Sequence, residues 1–320
     1  MTDFVCALTE GDIASVRTAE KAEYHNHIHL GARANDLIHA GIHLPEIKKY
    51  YGGLDDMNVT VRMLLNASDT TENHLIFWRA ALANAAENGI IKLSPSFGNC
   101  LREFFGGSFC DGYKAFCALR DEVAPGMQLF PEQAFKRGKD PVELEHQLDA
   151  IIESGVFYSI DFIGPEDYPV AEYAHLFKRA HRAGLICRAH VGEFSSPETI
   201  KEHLELLELD EIHHGITAIR SPYVMDMLKE RGTVLHICPI SNVCTGAVSS
   251  IREHPVGKLY RHGIPVTIGS DDCLLFGNTL AEEYLTLYQR GVLSADELDC
   301  LRLSALGLYN GFSTRSNATI

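Results

Sequence analysis

His25 and His27 stand two residues apart in Lys21-Ala22-Glu23-Tyr24-His25-Asn26-His27. On a strand, such a pair projects both imidazoles from one face, which lets two nitrogens meet one metal ion. His29 follows on the same face. It is a candidate ligand in place of His25, or a substrate contact one position beyond the metal. His190 lies in Arg-Ala-His-Val-Gly-Glu, with Glu193 three residues on. A histidine with a nearby carboxylate suits a ligand with an acid/base partner. The plainer reading of Glu193 is a capping residue beside a helix starting at Ser195-Ser196-Pro197. His213-His214 forms another pair, and neighbouring strand residues face opposite ways, so the inward role is assigned to His214 and the wall to His213. Asp271-Asp272 closes the apolar run Val266 to Ile268. Alone it would read as a turn or helix cap, but two carboxylates at a strand end are costly unless a cation or a set of donors meets them.

What positions these residues is a repeating rhythm. Residues 21 to 30 alternate from Glu23 onward, as a strand does. Apolar runs follow at Ile90 to Phe97, Met127 to Phe135, Val156 to Ile163, Leu185 to Val191, Glu211 to Ile216, Val234 to Cys238 and Pro265 to Ile268, making eight in all. Amphipathic stretches lie between them: Val142 to Glu153, Ala171 to Ala183, Pro197 to Glu208, Pro222 to Glu230 and Pro255 to His262. Several open on Pro and end at Gly155, Gly184, Gly232 or Gly263. Eight strands alternating with helices predict an α/β fold, a (β/α)8 TIM barrel forming one domain over residues 1–320. Residues 31–88, helical and irregular and broken at Gly52-Gly53, read as a capping insertion after the first strand, over the active-site face. An open doubly wound sheet is the runner-up, but no GxGxxG or GxxxxGK[ST] loop follows a strand. Ser313 to Ile320 reads as a frayed tail.

A barrel's active site lies at the C-terminal ends of its strands. There strands one, five, six and eight each deliver His or Asp to one rim. Three His, or two His and a carboxylate, with an open position describe a catalytic zinc site. Such an ion lowers the pKa of a bound water to about 7; His214 could take or hold that proton while Glu193 donates one on the other side of the attacked group. The fourth run, continuing to Glu166, closes without a Lys to bridge two metals, so one ion per subunit is expected. The zinc deaminases that flip bases carry H-x-E and P-C-x-x-C; this chain has His-x-x-Glu and no such Cys pair.

Composition narrows the partners. Lys and Arg total 28 against 43 Asp and Glu, a formal net charge of −15 in 320 residues, which repels phosphate backbones and anionic lipids. No nucleic-acid or membrane partner is expected. No apolar run approaches the roughly 18–20 residues that cross a bilayer, the opening lacks a signal peptide, and nine Cys without a CxxC pair read as reduced thiols. A cytoplasmic location is expected. Cys100, Cys110 and Cys117 read as small hydrophobes, His203, His236 and His262 as surface or core residues, and Trp78, Phe104 and Phe105 as packing of the capping segment.

Together these residues resemble the adenosine deaminase family of the metal-dependent amidohydrolases, from residue 21 to about 290. Lys21 to His27 is similar to the family's K-x-E-L-H-x-H, and Gly164 and Glu166 to its D-L-x-G-x-E. His190 to Glu193 matches H-A-G-E, and Ile212 to Gly215 matches I-G-H-G with His213 in place of the first glycine. Cys238 to Asn242 resembles C-P-x-S-N, His254-Pro255 follows, and Ser270-Asp271-Asp272 stands for T-D-D-P. The resemblance implies zinc held by His25, His27, His190 and Asp271. It implies that Glu193 protonates purine N1, that His214 orients and deprotonates the water, and that Gly164 and Asp272 contact the purine, Asp272 at N7. The implied reaction is attack at C6 of adenosine or a related 6-aminopurine with loss of ammonia. Three departures fall elsewhere: His29 stands where the family has an Asp that helps hold ribose, Cys273 replaces Pro, and Lys92 to Pro95 lacks Y-x-E-x-R. The purine end is kept and the sugar end changed, which leaves adenine, another amino heterocycle or a modified nucleoside as alternative substrates.

Overall fold

The computed structural model describes residues 2–98 and 100–310; the tail expected at Ser313 to Ile320 lies outside the described residues. Nine strand segments run β1 Lys21–His27, β2 Ile90–Phe97, β3 Gln128–Leu129, β4 Glu132–Lys136, β5 Ser159–Ile163, β6 Ile186–Val191, β7 Glu211–His214, β8 Val234–Ile237 and β9 Val266–Ile268. They pair in parallel in the order β1-β2-β4-β5-β6-β7-β8-β9. The short β3 also pairs β2, so β3 and β4 are one strand position interrupted at Phe130-Pro131. The ring closes through a bridge between Asn26 and Asp271, in which Asp271 N donates to His25 O at 3.1 Å and His27 N donates to Asp271 O at 3.3 Å. The fold is the eight-stranded (β/α)8 barrel that the alternation predicts.

Helices Pro141–Ser154, Ala174–Arg182, Pro197–Leu206, Pro222–Arg231 and Val256–His262 fall where the amphipathic stretches lie. Asp140 and Ser221 cap two of them by accepting from Val142 N and Val224 N. Helices Asp3–Glu10 and Ile13–Thr18, and Leu280–Gln289 and Ala295–Gly307, flank the barrel at the two ends of the chain; the last packs on β1 and β9. Within residues 31–88, helix Thr71–Glu87 leads into β2 and packs on helix Phe109–Val123. The chain ahead of helix Leu54–Asn66 reaches the loops after β8 and β9: Tyr51 N donates to Cys244 O at 2.7 Å and its ring meets Phe276 edge-on. Among the described residues no helix is long and apolar enough to cross a membrane.

The lower barrel interior is charged. Arg188 is fully buried and donates to Glu211 Oε2 at 2.6 Å, Glu132 Oε2 at 2.7 Å, Ser94 Oγ at 2.9 Å and Tyr309 OH at 2.8 Å. Tyr309 OH also bonds Glu211, so the C-terminal segment plugs the barrel floor. His236 Nε2 meets Glu211 at 2.8 Å.

Candidate active site

Strict alternation fails in β1, and the failure shapes the site. The pairing with β2 slips between Glu23 and Asn26, a bulge of the kind that re-aims side chains beside active sites. Tyr24 and His25 both face inward: Tyr24 lies against His236 and Tyr309, and His25 lies 4.0 Å, ring to ring, from His213. Glu23 faces outward and accepts from Ser270 N at 2.7 Å. The chain then turns into a 3-10 helix over Ile28–Leu30, so His29 leaves the face it was expected to share.

The inward residues converge. Ligand atoms of His25, His27 and His190 all lie within 4.8 Å of one another. Asp271 Oδ1 stands 3.5 Å from His25 Nε2 and 3.3 Å from His27 Nε2, close to the roughly 3.3 Å edge of a tetrahedron with bonds of about 2.0 Å. His25 Nε2 is buried with no hydrogen-bond partner, while its Nδ1 lies 3.1 Å from His236 O. That carbonyl fixes the ring proton on Nδ1 and leaves the Nε2 lone pair for an ion. Burial opposes a charged His27, yet Asp272 and Asp271 raise it to about 10. The donor set therefore fits a divalent cation, and it attracts positive charge.

Gly269 makes room for this arrangement. A Cβ there would stand 2.8 Å from His25 O and 2.9 Å from His25 Cβ. Asp271 and His214 both have left-handed backbones, φ 62° and 68°, a conformation unfavourable for residues with a Cβ and one that clusters at functional sites.

The left-handed turn at His214 corrects the sequence reading of the pair. His213 does not enter the wall: its Nε2 faces Glu132 at 3.3 Å inside the barrel, and its ring lies 4.7 Å from that of His190. Alternation holds only for extended backbone, and His214 leaves it, so both rings reach the interior. His214 Nε2 lies 3.6 Å from Glu193 Oε2 and 4.0 Å from Asp271 Oδ2. Asn242 Nδ2 stands 2.9 Å from Glu193 Oε1 and 3.1 Å from His214 Nδ1, linking the two. An amide proton donated to Nδ1 leaves the ring proton on Nε2. To take a proton from water, His214 needs its Nε2 lone pair free; Asn242 Oδ1 accepts from His254 Nε2 at 3.1 Å and stays turned away from the His214 ring.

Glu193 is buried. Burial first, then the charge of Asp271, pushes its carboxyl up to about 8, against hydrogen bonds from Asn242 and Thr245. Near neutrality it is an acid with a proton to give. Asp272 is likewise raised to about 7, by burial first, and its Oδ1 is buried without a partner.

Two expected substrate contacts are held by partners of their own. Gly164, at the end of β5, offers its carbonyl to Arg137 at 3.1 Å, and the same guanidinium donates to His190 O at 2.6 Å. His29 Nε2 pairs with Ser68 Oγ at 2.5 Å, and its ring stacks on His74 and Phe77. Burial drives it down to about 3, so it is neutral.

Several residues beyond the expected set support the site. Asp161 Oδ2 is 2.9 Å from His190 Nδ1, the carboxylate–histidine contact that orients a metal ligand. Ser241 Oγ donates to Asp271 Oδ2 at 2.7 Å. Glu166 accepts from the backbone N–H groups of Gly192, Glu193, Phe194 and Ser195, fixing the loop that carries Glu193. Asp161 and Glu166 sit within the strand-four motif, and Ser241 and Asn242 within C-P-x-S-N, but their partners come from distant strands. Replacing Asp161 with Asn will weaken binding of a divalent metal by about 10- to 100-fold, as read by competition with a chromogenic chelator.

Comparison with known proteins gives a consistent result. A family profile described as Adenosine deaminase matches residues 137–308. A candidate adenosine/adenine deaminase of Treponema pallidum is 28% identical over 291 residues, covering 87% of this chain and 94% of its own. An aminodeoxyfutalosine deaminase of Acidothermus cellulolyticus is 34% identical over 201 residues, 59% of this chain and 54% of its own. The crystal structure of an adenine deaminase from Arthrobacter aurescens superposes with a TM-score of 0.79 over 90% of this chain and 92% of its own, at 23% identity.

Proposed function

This chain belongs to the adenosine deaminase family and is a hydrolytic deaminase, and we propose that it removes the amino group of adenosine or a related 6-aminopurine with one zinc ion. The observation that carries the reading is the meeting of His25, His27, His190 and Asp271, with Glu193 and His214 beside them. Those four would hold the ion. When bound, it supplies a Lewis acid that makes water a nucleophile near pH 7.

The remaining steps belong to the chain's own groups. The Glu193 carboxyl, protonated by virtue of its burial, gives its proton to the ring nitrogen next to the amino-bearing carbon, making that carbon electrophilic. His214, held by Asn242, orients the water and takes its proton in the tautomer with Nε2 free. The water oxygen adds to the carbon, His214 passes the proton it took to the amino nitrogen, the remaining hydroxyl proton goes to the Glu193 carboxylate, and ammonia leaves a 6-oxo product. A protonated Asp272 can donate to N7, an acceptor in every adenine. Residues 31–88 would cover the bound purine.

His29 favours a second reading of the substrate. Tied to Ser68 and stacked between His74 and Phe77, it offers no carboxylate to a ribose hydroxyl. Adenine, a modified nucleoside or another amino heterocycle is then the substrate, and the names of the relatives span adenine, adenosine and aminodeoxyfutalosine. Ammonia release from zinc-loaded protein tests both readings, using adenosine, adenine, their N6-methyl and 5′-modified forms, and non-purine amines. Turnover of at least one 6-aminopurine is expected; release only from non-purines would overturn the assignment.

A further inference from the structure

His254 stands before Pro255 on the loop that leads into helix Val256–His262, and it is 4% exposed. Its two ring nitrogens have different partners. Nδ1 lies 3.2 Å from Val256 N, and Nε2 lies 3.1 Å from Asn242 Oδ1. The first partner decides the second. A backbone N–H can only donate, and at the start of a helix it has no acceptor within the helix. Nδ1 must therefore offer its lone pair to Val256. A ring proton at Nδ1 would meet that N–H head on, so the doubly protonated ring does not fit; burial, which pushes His254 down to about 3, acts in the same direction. A neutral ring with Nδ1 bare carries its proton on Nε2.

That proton fixes a carboxamide. The group facing a donor must be an acceptor, so the Asn242 oxygen points at His254 and its amide nitrogen points the other way. There Nδ2 donates to Glu193 Oε1 at 2.9 Å, and Thr245 Oγ1 donates to the same oxygen at 3.0 Å. All four residues are buried, where such bonds are strong and a mismatched one is costly. An oxygen that accepts twice is the carbonyl oxygen of a carboxylic acid. The proton of Glu193 then sits on Oε2, the oxygen 3.6 Å from His214 Nε2, which is itself 4.0 Å from Asp271 Oδ2.

We propose that His254 is a positioning residue: through the Asn242 carboxamide it keeps the transferable proton of Glu193 on Oε2, the oxygen turned toward the ligand cluster. The proposal rests on Glu193 as the proton donor and adds the means by which only one of its oxygens serves. Without the ring, the carboxamide is free to rotate and present its own oxygen to Glu193 Oε1. That oxygen would draw the acid proton onto Oε1, as a donor to the amide. Glu193 would stay buried and protonated, yet its proton would face away from the ligand cluster. His254 itself neither gains nor loses a proton.

Two measurements test this. In the unsubstituted, metal-loaded protein, nitrogen-15 spectra of the histidine rings at neutral pH should show His254 bare at Nδ1 and protonated at Nε2; the reverse tautomer overturns the proposal. His254→Leu, which keeps a buried side chain without a donor, should lower kcat by about 10- to 100-fold with KM and bound metal nearly unchanged. His254→Gln, which restores a donor toward Asn242, should recover most of the rate. An unaltered kcat in His254→Leu, an equal loss in both variants, or a loss that appears in KM or metal content refutes the role. Should His254→Leu fail to fold, the tautomer of the unsubstituted protein decides alone. The reading of Glu193 fails differently: unsubstituted protein that releases no ammonia from any 6-aminopurine fails before either variant is made.

Discussion

Glu193→Gln will lower kcat by about 10²- to 10⁴-fold, the usual contribution of a positioned general acid, while bound metal stays at the level of the unsubstituted protein. The substitution is nearly isosteric, and Asn242 and Thr245 still meet an oxygen at that position, so the fold and the ligand cluster are preserved. What disappears is the proton. A carboxyl held up to about 8 is largely protonated at pH 7 and gives that form up as pH rises through its folded value. A divalent ion held beside it would pull the value down. The alkaline limb of kcat/KM should therefore fall at or below about pH 8, and the residual rate of Glu193→Gln should lack that limb. Metal analysis separates the outcomes: if the variant loses its metal together with its activity, Glu193 serves the ion and not the proton.

Arg188→Met will destabilise the barrel by about 3–5 kcal/mol, the cost of leaving buried charge without its partner. Arg188 is the shared cation of Glu132 and Glu211, all of them deep in the barrel. Glu211 is held well below the usual carboxylate range, against burial, chiefly by this guanidinium and then by His236. Deleting the arginine turns both carboxylates from stabilised anions into uncompensated ones. In a domain whose total stability is of order 5–15 kcal/mol, much of the chain will be unfolded or insoluble, and urea midpoints should shift accordingly. Adding Glu132→Gln and Glu211→Gln should recover most of the loss, because a neutral network no longer needs the cation. A triple variant as unstable as Arg188→Met alone would show that the methionine packs badly and that charge is not the cause.

The arginine network was hidden in the sequence for a definite reason. Arg188 meets Glu211 across 23 residues and Glu132 across 56, contacts that exist only once β4, β6 and β7 are in register. One signal was available: Arg188 precedes His190 by two, and Glu211 precedes His213 by two, so charged residues share the inward face of otherwise apolar strands. Local pattern was enough for β2, where the apolar run and the strand both span Ile90 to Phe97. It was enough for the helices capped by Asp140 and Ser221, and for the strand ends that carry His190 and Asp271. It failed at Tyr24 and His25, where a slip against the neighbouring strand puts consecutive residues on one side. It failed again at His214, whose left-handed φ cancels the alternation that separated it from His213. Both departures lie where the backbone turns side chains toward the ion site, so a rule for regular strands misleads most at the chemistry.

The hoop is fastened at Asp271, whose backbone supplies both hydrogen bonds across the Asn26 seam while its side chain reaches His25 and His27. One residue thus serves as clasp and as claw. A chain whose claw is misplaced cannot buckle its hoop cleanly, so a correctly sealed molecule is also one ready to take up its ion.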